Sequence, residues 1–198
     1  MPPVALAVIR DEHRALTAVL QALQSLARDI RERGVEPDFD LFSLILDYIE
    51  LVPEKLHHPK EDQYLFKAMR ARTAEAGAVL DELEAEHARG DGLMHELRHA
   101  LARYRVGGAR GFEAFAAAVE DYFDFHWKHM RKEEEVVLPL AERVLTGADW
   151  EAIDAAFKAN DDPLFGPQPR EEFRALFQRI VTRAPAPIGV GAPAPPKR

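Results

Sequence analysis

The chain has 198 residues, 47% hydrophobic and 30% charged, with a formal charge of −8 and no cysteine. This suits one domain of ordinary size with a full core, and it argues against nucleic acid as a general partner because no basic face neutralises phosphates. Disulfides, thiolate metal sites and thiol catalysis are excluded, so a bound cation must use His, Asp and Glu.

The opening "MPPVALAVIRDEH" carries charge from Arg10 onward and has no basic segment before a long apolar one, so it does not read as a signal peptide. Apolar residues then recur at Ile9, Leu16, Leu20, Leu23, Ala27 and Ile30, the three-four spacing of one helix face. This first helix should stop at Gly34 and the Pro37-Asp38 pair. The spacing predicts a second helix from about Asp38 to about Arg72, with Phe42, Ile45, Ile49 and Val52 facing in and a kink at Pro53 and Pro59. Its run "LFSLILDYIELV" is too short and interrupted to span a bilayer. Thr73 is placed to cap a third helix, with Val79, Leu83, Met94, Leu97, Leu101 and Tyr104 inward, broken at Gly107 and Gly108. A fourth helix runs to about Leu145 on the stripe Phe112, Phe115, Val119, Tyr122, Val136 and Leu140. The predicted fold is all-α, an up-down-up-down four-helix bundle over residues 1–146. Two short accessory helices over 147–183 should pack on it through Trp150, Phe157, Phe165 and Phe177, and the Pro/Ala/Gly-rich 184–198 should be a disordered tail.

The chain also resembles itself. "IRDEHRALTAVLQAL" aligns with "LEAEHARGDGLMHEL", setting Glu12 over Glu86 and His13 over His87; "HHPKEDQYLFKA" aligns with "HMRKEEEVVLPL", setting His57 over His129 and Glu61 over Glu133. The offsets are 74 and 72 residues. His13 and His87 continue the apolar stripes of their helices, and the fourth-helix stripe passes through His126, His129 and Glu133. Burying these groups without partners costs several kcal/mol each. A lone inward histidine is ordinarily a hydrogen-bonded core residue, and a lone His-x-x-x-Glu pair is ordinarily a surface pair. Four helices contributing at one level favour a cation, chelated by residues four apart on one face. His13, His57, His87 and His129 are expected to converge, with Glu61 and Glu133. His58 lies about 100° around the helix from His57, and which of the two faces in is left open by the prolines. His126 is either a donor or a core histidine, while His95 and His99 fall off the stripe and read as surface.

These segments, "DEH", "HHPKED…LF", "EH" and "HMRKEEEVVLPL", resemble the hemerythrin family, in its bacterial hemerythrin-like (HHE cation-binding) form, over roughly residues 5–145. The resemblance implies two irons in the bundle, bridged by carboxylates and an oxygen species. By position, His13, His57, Glu61, His87, His129 and Glu133 would be ligands, with the glutamates bridging. The family's oxygen carriers have a further histidine one turn after the first in the third helix. Here Asp91 stands there, so that set is incomplete unless Asp91 or His126 substitutes.

Imidazole and carboxylate donors favour iron or manganese, and zinc is compatible. Phe42, Tyr122, Phe123 and Trp127 are expected to limit water access, and Tyr64 and Tyr122 are the nearest phenols. The expected function is a cytoplasmic non-haem di-iron protein that binds or senses O2, NO or peroxide, or handles iron. The alternatives are a di-iron oxidoreductase consuming peroxide or NO, and a structural bundle with one zinc or no metal. Expected partners are a diatomic ligand or peroxide, with neither nucleic acid nor membrane; a homodimer is an allowed state.

Overall fold

The structure, a computed structural model, describes residues 3–158, 178–182 and 184. Over these residues it is all-α and its helices pack as a bundle. No helix among them is long and apolar enough to cross a membrane.

The first helix, Val4–Arg33, buries the whole predicted stripe from Ile9 to Ile30. It ends at Gly34, whose φ of 62° is the left-handed conformation that glycine adopts without strain. Asp38 caps the next helix, its carboxylate accepting the Leu41 N–H at 3.0 Å. That second helix covers 39–72 but is not uniform. It is α-helical at Phe39–Ile49, His58–Lys60 and Lys67–Arg72, and wound in wider π turns at Glu50–His57 and Glu61–Phe66. Proline in an ordinary helix lacks the bond to the residue four back and collides with that residue's carbonyl. Wider winding, bonding five back, relieves both around Pro53. The prolines expected to kink this helix are met by a change of winding.

Thr73 does not cap the third helix as expected. Its hydroxyl accepts the Glu75 N–H in a turn, and the helix runs Gly77–Gly107. The fourth covers 109–144, with a π turn at Glu133–Val137. That turn adds a residue to the stripe: Val136, expected inward, is 46% exposed, and Val137 is fully buried instead. Val137→Ala should therefore cost about 2 kcal/mol, and Val136→Ala less than about 0.5 kcal/mol, by chemical denaturation. The reverse order would return this helix to unbroken α register.

A fifth helix, Gly147–Lys158, packs on the first, burying Trp150, Ile153 and Phe157 in one cluster with Ala5, Leu6 and Ile9. Asp154 accepts the Ala5 N–H at 2.8 Å. Of the second predicted accessory helix, 178–182 is helical and Ile180 is buried. Phe165, Phe177 and the stretch from 185 onward lie outside the described residues.

Among the described residues the buried apolar side chains form two clusters. One holds Leu16, Val52, Met94 and Val119; the other holds Ile9, Leu65, Leu83 and Val137. Every one of the four long helices crosses from one cluster to the other, and at each crossing it buries polar side chains: Glu12 and His13, then Glu54, His57, His58 and Glu61, then His87, then His126, His129 and Glu133. One polar layer thus spans the bundle.

Candidate metal centre

Within this layer, donor atoms gather in groups whose members lie within 4.8 Å of one another. These are His13, His57, Glu61 and Glu133; Glu61, His87, His129 and Glu133; and His58 with His87 and His129. The first two groups share both glutamates, and the last two share two histidines. Glu61 turns Oε1 to His57 Nε2 at 3.2 Å and Oε2 to His87 Nε2 at 3.6 Å. Glu133 turns Oε2 to His13 Nε2 at 3.2 Å and Oε1 to His129 Nε2 at 3.3 Å. Each carboxylate divides its oxygens between the two groups.

The outer ring nitrogens are all engaged. Nδ1 donates to Glu134 from His13, to Glu12 from His57, to Glu54 from His58, to Asp62 from His87 and to Glu86 from His129. An ionised carboxylate only accepts, so the proton sits on Nδ1 and each neutral ring keeps its Nε2 lone pair for the interior. This is how metal-binding imidazoles are oriented and made more basic. The inner atoms fit a cation by the opposite sign. His13 Nε2, His57 Nε2 and both oxygens of Glu61 and Glu133 are buried with no hydrogen-bond partner among the described residues. Left bare, such atoms are costly. A cation among them removes the cost.

Without a cation, protons take that place. Burial pulls His87 down, but the hydrogen bond to Asp62 and the nearby carboxylates of Glu133 and Glu61 outweigh it and hold the ring up at about 9. Burial of His129 is likewise outweighed, chiefly by Glu133 and then Glu86, to about 10. His13 and His57 are raised against their burial by Glu133 and Glu134 and by Glu61 and Glu12. Glu133 is depressed in spite of burial by His129, His13 and His87. His58 goes the other way, because burial and the neighbouring His87 outweigh Glu54.

The structure brings together His13, His57, Glu61, His87, His129 and Glu133. Of the further candidates it adds His58, because the wide turn buries His57 and His58 alike, at 4% and 5% exposure. Asp91 is exposed and takes no part. His126 is fully buried but belongs to no donor group; it lies 3.4 Å from Glu54, and burial keeps it neutral. His95 and His99 are exposed. Two expected neighbours are misplaced, since Trp127 and Tyr64 are each 42% exposed. The rings against the histidines are Phe66 on His87, Phe125 on His129 and Phe157 on His57. The five outward carboxylates escaped the sequence reading. The one available signal was their adjacency: Glu12, Asp62, Glu86 and Glu134 each sit beside an inward residue, but serve a histidine on another helix.

Glu54 is held tightly. It accepts from His58 Nδ1 at 3.2 Å and from the Tyr122 hydroxyl at 2.9 Å, and a Cβ on Gly90 would stand 3.0 and 3.1 Å from its oxygens. Gly90→Ala should therefore push this carboxylate off His58. Fold stability should change little, since alanine gains about 1 kcal/mol of helix propensity against the crowding. Cation affinity, measured by competition with a chelator, should fall about tenfold; unchanged affinity would show that Glu54 does not set His58.

Searches of curated proteins and of solved structures returned no match. The family model of the hemerythrin HHE cation binding domain matches residues 4–141, which contain every residue of the polar layer. With donors on all four helices and well over half the chain matched, the protein belongs to the hemerythrin HHE cation-binding family.

Proposed function

We propose that the chain holds two iron ions in this layer and binds O2, NO or peroxide there. The observation that carries the reading is the split of Glu61 and Glu133, each with one oxygen toward His13–His57 and the other toward His87–His129. A single ion would not need both oxygens of both carboxylates. His13 and His57 would hold one ion, His87, His129 and His58 the other, with the glutamates between them. The all-N,O donor set suits iron, with manganese or zinc as the competing occupants. Bound iron would supply Lewis-acid and one-electron chemistry toward a small ligand.

The chain's own residues do the rest. The outward carboxylates fix each imidazole's tautomer, and Phe66, Phe125 and Phe157 keep water from the rings. Tyr122 donates to Glu54, so its proton is committed to orienting His58 and not to a ligand. The alternating passage of the four helices between two apolar clusters supports an up-down-up-down arrangement. Consumption of peroxide or NO is the enzymatic variant of the same site and needs an external electron source.

Elemental analysis and an optical spectrum of aerobically purified protein test the proposal. Two irons per chain and a near-ultraviolet band that responds to added azide are expected. One zinc per chain, or no metal, would overturn it. Turnover of peroxide or NO in the iron-loaded protein would assign the enzymatic variant.

A further inference from the structure

The internal repeat is obeyed by contacts, not only by residue types. Glu12 binds His57 as Glu86 binds His129, and Glu134 binds His13 as Asp62 binds His87. Carrying the 72-residue offset through the second and fourth helices exposes two exceptions. His58 corresponds to Met130, and its partner Glu54 corresponds to His126. The second and fourth helices therefore differ at these two positions of the layer.

The two sides differ in packing as well. Around His58 the space is filled, with Glu54 bonded to His58 and Tyr122 and closely backed by Gly90. On the Met130 side a cleft of about 480 Å³ opens between the first and fourth helices. His13 and the 5%-exposed Met130 line it together with Thr17, and the exposed Ala18 and Trp127 also border it. The Thr17 hydroxyl reaches the Met130 sulfur at 4.0 Å. A thioether is a weak donor for a hard cation where imidazole is a good one. The His13–His57 group thus lacks the extra donor that His58 offers the other, and the missing donor's position faces a cleft.

Resting on the proposed two-iron site, we infer that this cleft is the route by which a small anionic or diatomic ligand reaches the His13–His57 group, and that Met130 is the residue setting what passes. Its unbranched, flexible side chain yields to a molecule of two or three atoms and closes against larger ones. On the other side Glu54 and Tyr122 close over His58, the Tyr122 hydroxyl donating to Glu54 at 2.9 Å and His58 Nδ1 to it at 3.2 Å.

Azide association with the iron-loaded full chain tests this, followed by stopped-flow absorbance, with iron per chain measured on the same samples. Ala18→Trp fills the mouth from an exposed position and should slow association about tenfold, while Met130→Ala widens the floor and should speed it. Iron content should match the unsubstituted chain in both. Ala18→Trp retains the test if Met130→Ala proves poorly folded. Iron-replete variants with unchanged association rates would overturn the inference while leaving the two-iron reading intact. An unsubstituted chain that takes up neither iron nor azide would overturn both.

Discussion

Glu61→Ala or Glu133→Ala should strip the cations from both groups, because each of these side chains serves the two at once. Loss of a carboxylate that merely orients a histidine ligand typically costs tenfold to a hundredfold in affinity. Removing a shared inner carboxylate takes a donor from both positions and also removes the charge that balances them, so its effect should exceed that range by about another factor of ten or more. Asp62→Ala and Glu134→Ala provide the contrast. Both carboxylates are partly exposed and touch the outer nitrogens of His87 and His13, at 2.8 and 3.0 Å. Metal content after exhaustive dialysis should be near zero for the first pair and reduced for the second. Equal losses in all four variants would mean that the split of the inner oxygens has no role in binding.

The cation-free protein should lose stability as pH rises from about 7 to 10, and the cation-bound protein should not. His87 and His129 titrate at about 9 and about 10 in the folded state, against about 6.5 unfolded. A folded value above the unfolded one stabilises fully below the unfolded pKa, and that stabilisation disappears as pH climbs through the folded value. At about 1.4 kcal/mol per pH unit the rings contribute roughly 3 and 5 kcal/mol taken singly, and less in sum because both lean on Glu133. His13 and His57, also raised, act in the same direction. His58 and His126 are lowered and act on the acid side, where folding must keep them neutral while the unfolded chain would protonate them. Glu133, held low, adds to that acid-side loss. Cations replace these protons, so alkaline pH frees ligands without leaving carboxylates uncompensated. Melting temperatures of both forms between pH 6 and 10 should diverge upward. A constant gap would detach this cluster from cation binding.

The layer itself was legible because its members sit at core spacing: His13 after Ile9, His87 after Leu83, and His129 and Glu133 in the run from Phe112. Stripe membership reports which way a side chain points, and that suffices for an inner donor. It does not report winding. The π turn at Glu133–Val137 leaves no mark in composition, so the stripe points to Val136 where Val137 is buried; in the second helix Pro53 and Pro59 signal a disturbance but not its form. The wide turns there bury His57 and His58 alike, where an unbroken α-helix would set them about 100° apart. Partnership between helices was equally hidden. Glu12 adjoins His13 in sequence yet binds His57, and nothing local to either residue says so.

Among the described residues the polar layer lies between the two apolar clusters, which makes it a mechanical joint. Without cations, the end containing Ile9, Leu65, Leu83 and Phe157 and the end containing Leu16, Ile45, Leu97 and Phe115 have separate apolar interiors. They are free to open at different free energies. A cation that binds donors from all four helices is a rivet through the joint, adding its binding free energy to both ends together. Amide hydrogen exchange would then report two protection plateaus in the cation-free chain and one in the loaded chain, so that loading with metal changes how many cooperative units the molecule has.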